Sequence, residues 1–150
     1  MANVMMIYDE VSLFRKSLIS KSLAIEYWTN LSAHQIGREG ESLICKELEK
    51  SGFKLQARNL RTPFAEIDIL ATSKKSVLMI EVKTRFTRVR RKALFDEISF
   101  RQKMRLTRAA RWIWNQEFRR GFKGRFYCLV LVVTERGIES QNLPLLYDQN

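Results

Sequence analysis

Asp68, Glu81 and Lys83 lie in two neighbouring apolar runs, Glu66-Ile67-Asp68-Ile69-Leu70-Ala71 and Val77-Leu78-Met79-Ile80-Glu81-Val82-Lys83. Both runs read as strands, whose side chains alternate between faces with a period of two. Glu66 and Asp68 then share one face of the first. In the second, Val77, Met79, Glu81 and Lys83 share a face, while Leu78, Ile80 and Val82 take the other. The three charges are expected at the carboxyl ends of strands whose composition asks for burial, where an unpaired charge is expensive. Two carboxylates and a lysine on such a scaffold match the needs of phosphodiester hydrolysis at a divalent metal. Hard oxygen ligands on Mg²⁺ or Mn²⁺ neutralise charge on the non-bridging oxygens and make a hydroxide-like nucleophile.

In that reading Asp68 and Glu81 are direct ligands, and the backbone carbonyl of Val82 offers a third oxygen. Lys83 would hold the attacking water or help deprotonate it, given a setting that lowers its pKa. A fourth group comes from a helix. Ser32-Ala33-His34-Gln35 is a capping-box signature, and the helix it opens runs to about Lys50, where Gly52 closes it. Gly37, Glu41, Ile44 and Leu48 fall on one face of that helix, so Glu41 is an acid on the apolar side, placed to bind the metal or its hydration shell. His34, in the first turn, reads as a surface residue. The bland alternative is an ordinary same-face ion pair of Glu81 with Lys83 at a strand end. An E-x-K tripeptide is common, so the combination of E-I-D, E-V-K and an inward Glu41 has to carry the reading.

The elements around these residues suggest one domain with an appendage. Residues 1–30 read as an N-terminal extension in which Val11, Phe14, Leu18 and Ile25 recur at about helical spacing; it would pack on the domain or recruit a partner. Residues 31–150 are expected to form the domain. Phe53 to Asn59 reads as a first strand, and Arg61-Thr62-Pro63 marks a turn. The two motif strands come next as an antiparallel meander joined by Ser73-Lys74-Lys75-Ser76. A basic connection from Thr84 to Asp96 leads into a helix from about Ser99 to Arg119 with Leu106, Ala110, Ile113 and Trp114 as its core stripe. Phe126 to Thr134 reads as a central strand, after which Glu135-Arg136-Gly137 turns into a short tail. Helix, three strands, helix and strand give an α/β sandwich with the sheet covered by helices.

Charge points to the partner. The chain carries 27 Lys/Arg against 16 Asp/Glu, a net of +11. Between Lys83 and Arg125 there are 15 Lys/Arg and three acids (Asp96, Glu97 and Glu117), so this one segment holds the whole excess. A polyanion is the expected partner. Arg85, Arg88, Arg90, Arg91 and Lys92 would flank the site, and Arg101, Arg105 and Arg108, with Lys103 among them, form a cationic stripe able to follow a phosphate backbone. Phe86, Phe95 and Phe100 could stack on splayed bases or serve in the core. A solvated helix face usually interleaves both signs, and here acids are almost absent. A peripheral membrane protein would need exposed apolar anchors beside the cations. No stretch is apolar enough to span a bilayer and the N-terminus has no signal-peptide h-region, so a cytoplasmic location and no membrane partner are expected. Cys45 and Cys128 are far apart among apolar neighbours, and with one histidine they suggest reduced core thiols rather than a zinc site.

The pattern Gly37-x3-Glu41, Ala57-Arg58-Asn59, Glu66-Ile67-Asp68-Ile69, Ile80-Glu81-Val82-Lys83-Thr84-Arg85 and Ala109-Ala110-Arg111 resembles the YraN family. These are small bacterial proteins related to archaeal Holliday-junction resolvases and to PD-(D/E)xK nucleases. The resemblance covers about residues 35–140. It implies a restriction-endonuclease-like three-layer core, a nucleic-acid substrate, and Glu41, Asp68, Glu81 and Lys83 as an active-site quartet, with Glu66 as an extra acid. Phe64-Ala65 and Tyr127 stand where the family pattern has Gly-Gly and aspartate; its lysine at the start of the second helix aligns with Gln102 without a gap, with Lys103 next to it, and that role stays unassigned. Resolvase-like relatives act as dimers, so the resemblance also implies a homodimer. The expectation is a Mg²⁺- or Mn²⁺-dependent, structure-selective DNA endonuclease of recombination, repair or DNA processing. The competing expectation is a catalytically silent DNA-binding module of the same fold, serving a DNA-processing partner through residues 1–30.

Overall fold

The computed structural model describes residues 9–19, 28, 30–85, 98–134 and 137–143. Helix α1 spans Glu10–Ile19 and helix α2 Ala33–Lys50; strands β1 (Lys54–Arg61), β2 (Glu66–Thr72) and β3 (Ser76–Thr84) succeed them. Helix α3 (Phe100–Ile113) runs into a π-helical turn (Trp114–Phe118), and β4 (Arg125–Thr134) and β5 (Gly137–Leu143) complete the described chain. The five strands form one sheet in the order β1-β2-β3-β4-β5. β1, β2 and β3 are an antiparallel meander, β4 lies parallel to β3, and β5 returns antiparallel to β4. A parallel pair needs a crossover, and α3 lies within it.

Three layers result. Ile44 and Leu48 of α2 and Phe14 and Leu18 of α1 pack with Leu78, Ile80, Leu129 and Leu131 on one face of the sheet. On the other face Leu106, Ala109, Ala110 and Ile113 of α3 pack with Val77, Met79, Val130 and Val132. With helices on both sides, β3 is buried continuously from Ser76 to Val82, as expected of a covered central strand. Ala109 and Ala110, both fully buried, let α3 lie close to the sheet. The described elements are thus helix, meander, helix and strand, the α/β order expected of the core.

Local chemistry explains the boundaries. Ser32 caps α2 with the anticipated capping box: its hydroxyl accepts from the N–H of Gln35, and the Gln35 side chain accepts from the N–H of Ser32. The helix ends at Lys50, and two residues on the chain turns off at Gly52, whose φ of 88° is one that a side chain would strain. Helix α1 buries Val11, Phe14 and Leu18, the first three positions of the predicted apolar spacing, and Ile25 lies outside the described residues. Arg15 bonds Ser140 of β5 at 2.7 and 3.1 Å, and Glu10 bonds Ser73, so α1 is tied down at its first residue and at its middle.

Two expectations are corrected. The stretch after Gly137, expected as a tail, is β5 through Leu143, paired with β4 from Thr134↔Gly137 to Cys128↔Leu143. The predicted long helix is α-helical only to Ile113, beyond which the hydrogen bonds widen into the π turn. Among the described residues no helix is long and apolar enough to cross a membrane. Both cysteines are buried and unpaired, and burial pushes the Cys128 thiol up to about 12.

Candidate active site

The β2–β3 ladder runs from Thr72↔Val77 to Ile69↔Ile80 and stops. Beyond it the Asp68 carboxylate takes the place of a strand carbonyl, its Oδ2 accepting the N–H of Val82 at 2.8 Å. The parting is accompanied by a twist of β2. Ile67 packs on the α3 side and Ile69 on the α1–α2 side, although strict alternation would keep them on one face. This corrects one expectation. Asp68 sits near the start of β2 rather than at its carboxyl end, and meets the carboxyl end of β3 because the two strands run in opposite directions.

Glu81 is buried, with 8% of its surface exposed. Its Oε1 receives Lys83 Nζ at 3.0 Å and Gln102 Nε2 at 3.3 Å. Gln102 therefore reaches the site from the first turn of α3. Burial raises the Glu81 pKa most, and the Asp68 charge raises it further, to about 7, against the pull of Lys83. Asp68 is raised by burial too, although the Val82 N–H and Glu81 both act to lower it. Asp68 adds to the rise at Glu81, and one lysine cannot neutralise both carboxyls.

Glu41 approaches from α2. It is half-buried and its Oε2 lies 3.7 Å from Arg58 Nη2. Burial raises its pKa, and Asp68 adds a like charge. Glu41, Arg58, Asp68, Glu66, Arg38 and His34 border an open cleft of about 800 Å³. Glu66 is exposed at its edge, 3.9 Å from Arg61. Arg58 belongs to the sequence motif without a site role of its own; only the tertiary pairing with Glu41 reveals its place. The helix α2 can bring Glu41 so near because Gly40 has no Cβ: one there would collide with the Thr84 hydroxyl at the end of β3.

The donor set suits a hard divalent cation. Asp68 and Glu81 supply crowded carboxylate oxygens in a buried setting, where positive charge would relieve their repulsion. In an extended strand the N–H and C=O of one residue point to the same side, so the Val82 carbonyl opens toward Asp68 as its N–H does. Among the described residues no three His, Cys, Asp or Glu side chains form a ready-made metal cage. A third oxygen would come from that carbonyl or from water, with Glu41 standing behind Asp68.

Of the expected cations, Arg101, Arg105 and Arg108 are exposed along α3, with Lys103 half-buried beside them. Arg85 continues from β3, its N–H bonded to Val133 O at 2.8 Å. Arg88, Arg90, Arg91 and Lys92 lie outside the described residues, as do Phe86 and Phe95. Phe100 is 77% exposed at the start of α3, on the site side. Tyr127 donates its hydroxyl to Asp9 at 3.3 Å.

A family model, described as uncharacterised protein family UPF0102, matches residues 40–132, which contain Glu41, Asp68, Glu81, Lys83 and Gln102. A UPF0102 protein of Desulfosudis oleivorans is 32% identical over 105 residues, covering 70% of this chain and 85% of the relative. One of Syntrophotalea carbinolica is 31% identical over 106 residues, covering 71% and 84%. Among solved structures, the chain is similar to Archaeoglobus fulgidus Hjc, a Holliday junction resolvase, with 24% identity, a TM-score of 0.46 and 71% and 77% of the two chains covered.

Proposed function

This chain belongs to the UPF0102 (YraN) family, and from that premise and the site's geometry we propose that it is a divalent-metal-dependent, structure-selective DNA endonuclease of recombination, repair or DNA processing. One observation carries the reading: Asp68, bonded to the Val82 N–H at 2.8 Å, and the buried Glu81, 3.0 Å from Lys83 Nζ, converge where β2 and β3 part, beside a basic helix. An arrangement that holds two like charges in low dielectric is costly for stability and is expected where chemistry uses it.

Asp68 and Glu81 would hold Mg²⁺ or Mn²⁺ with the Val82 carbonyl. The ion supplies Lewis acidity toward a phosphate oxygen and a more acidic water. Lys83 now neutralises Glu81; with that carboxylate engaged elsewhere, its ammonium is free to orient the attacking water and stabilise charge on the phosphate. Gln102 keeps Glu81 from rotating away, donating to Oε1. Glu41 is drawn back by Arg58, which leaves it placed for the hydration shell rather than the ion itself. Arg58 and Arg38 line the cleft through which a phosphate backbone would pass.

The test is incubation with junction, flap and single-stranded DNA in Mg²⁺ or Mn²⁺. Wild type is expected to cleave at least one of them, and Asp68→Asn and Lys83→Ala to lose about 10³-fold or more in rate while binding DNA almost as before. Mn²⁺ titration adds a readout independent of activity: binding in wild type and its loss in Asp68→Asn. Cleavage indifferent to both substitutions removes the proposal. DNA binding without cleavage or metal uptake leaves the silent module instead.

A further inference from the structure

Helix α3 has a direction relative to the site. Its first turn touches Glu81 through Gln102, at the carboxyl end of β3. Its last residue leads to Trp114, whose ring meets Phe126 edge-on at 6.1 Å, and Phe126 pairs with Val77 at the opposite end of β3. The helix therefore runs from the site to the far end of the molecule. Along it and its π turn lie Arg101, Arg105, Arg108 and Arg111, then Arg119 and Arg120, all six exposed.

The line has one gap. Arg101, Arg105 and Arg108 fall on one α-helical face with Arg111 a turn further on, and after Trp112 to Phe118, which carry no cation, Arg119 and Arg120 resume it. The π turn inserts an extra residue per turn and so rotates the residues beyond it, and the Arg119–Arg120 doublet covers both sides of the resulting line. Between Phe100 and Arg125 there are nine Lys/Arg and a single acid, Glu117. None of the six arginines forms an ion pair with a carboxylate among the described residues. The far end also carries a polar hollow of about 560 Å³ bordered by Asn115, Gln116, Glu117, Arg119 and Arg120.

Resting on the proposed endonuclease reading, we propose that this line is a duplex-arm track: one arm of the DNA substrate lies along α3, and Arg111, Arg119 and Arg120 hold its backbone at the end remote from the site. Nineteen residues from Phe100 to Phe118 rise about 28 Å at 1.5 Å each, the length of roughly eight base pairs at 3.4 Å each. A membrane surface is disfavoured as the occupant: the apolar face of α3 is spent on the sheet, Phe100 is a single exposed ring at one end of the line, and the other end is polar.

The test measures binding by full-length protein, without divalent metal, to junctions whose arms are 4 or 12 base pairs long. Arg119→Gln with Arg120→Gln should weaken binding to the long-armed substrate by roughly tenfold near physiological salt, reduce the slope of log affinity against log salt by about two, and leave the short-armed substrate unchanged. Arg101→Gln with Arg105→Gln, next to the site, should weaken both. Equal losses on both arm lengths, or preference for anionic vesicles over duplex in competition, overturn the track. No binding of either DNA by wild type instead removes the function it rests on. Far-ultraviolet circular dichroism of each variant confirms that these exposed substitutions leave the fold intact.

Discussion

At the Ser76 end of β3 nearly every side chain meets an apolar or aromatic neighbour. Val77 pairs with Phe126, and Phe126, Trp114, Phe118 and Phe122 meet edge to face with ring centroids 5.6 to 6.4 Å apart. Arg125 N–H bonds Lys75 O at 2.9 Å, and Gly124 lies against that carbonyl so closely that no Cβ would fit. At the Glu81 end of the same strand the ladder to β2 has stopped, and Asp68, Glu81 and Glu41 all hold their protons more tightly than usual. The Thr84 hydroxyl is buried there without a hydrogen-bond partner among the described residues. The contrast separates two tasks. Stability is made where aromatic surface is packed, and it offsets an end where charge is crowded and polar groups are left unmet.

The hardest test of that separation removes packing from the distal end. Phe126→Ala should cost about 3–5 kcal/mol, the range for a large core aromatic cut to alanine, and lower Tm accordingly. Affinity for short-armed DNA and any cleavage rate, measured per folded molecule, should not change; only the hold on a long arm, through Arg119 and Arg120 beyond the π turn that Phe126 supports, should weaken. If the variant instead kept its Tm and lost DNA binding, the two ends would be one functional unit and the comparison would be wrong.

A charge substitution at the site end should do the opposite and stabilise. Glu81 has a folded pKa near 7 against an ordinary value of 4.5, with burial as the main cause. Between those values the native state keeps a proton that the unfolded chain gives up, so stability is greatest below about 4.5 and falls as pH rises toward 7. Asp68, also raised, acts with the same sign. Glu81→Gln removes the penalty: at pH 8 it should gain about 2 kcal/mol in denaturant unfolding, and near pH 4 almost nothing. The rise to about 7 is already net of the attraction of Lys83, and the variant leaves that ammonium to Asp68 and solvent. Mn²⁺ should raise the Tm of wild type at pH 8 and not that of the variant. A variant less stable than wild type at both pH values would show that Glu81 is a structural ion pair and nothing more.

These two ends differed equally in how legible they were. The core stripe of α3 and the apolar strand after Phe126 are visible in the periodicity, because burial alone selects those residues. E-I-D and E-V-K named Asp68, Glu81 and Lys83, which the fold brings together. The features that escaped were set by backbone and tertiary geometry. The slip into a π turn at Trp114 changes hydrogen bonds without altering side-chain types. β5 has apolar residues only at its ends, Ile138 and Leu143, and they feed opposite faces of the sheet, so no alternation marks it. Ile67 and Ile69 share a parity yet face opposite ways, because β2 twists about Asp68. Arg58 gains its role only from Glu41, 17 residues earlier on another element.

The finest distinction concerns Gly40, which couples helix position to the site. In an isolated helix Gly→Ala stabilises by about 1 kcal/mol, so a neutral position would show a gain. Here the added Cβ meets Thr84 Oγ1 head-on, with Thr84 Cβ 3.2 Å and Cγ2 3.4 Å away. Either Thr84 turns or α2 lifts from β3, and lifting draws Glu41 from Asp68. Gly40→Ala should therefore cost a net of about 1 kcal/mol, with a fall in cleavage rate larger than that loss explains. Thr84→Ala removes the obstacle and an unmet hydroxyl together, and should be close to neutral alone. In the double variant the helix gains its Cβ without a collision, so stability and rate should both recover, with a coupling of about 1 kcal/mol in the double-mutant cycle. Strict additivity of the two substitutions would mean that Gly40 is there for some reason other than the approach of α2 to the end of β3.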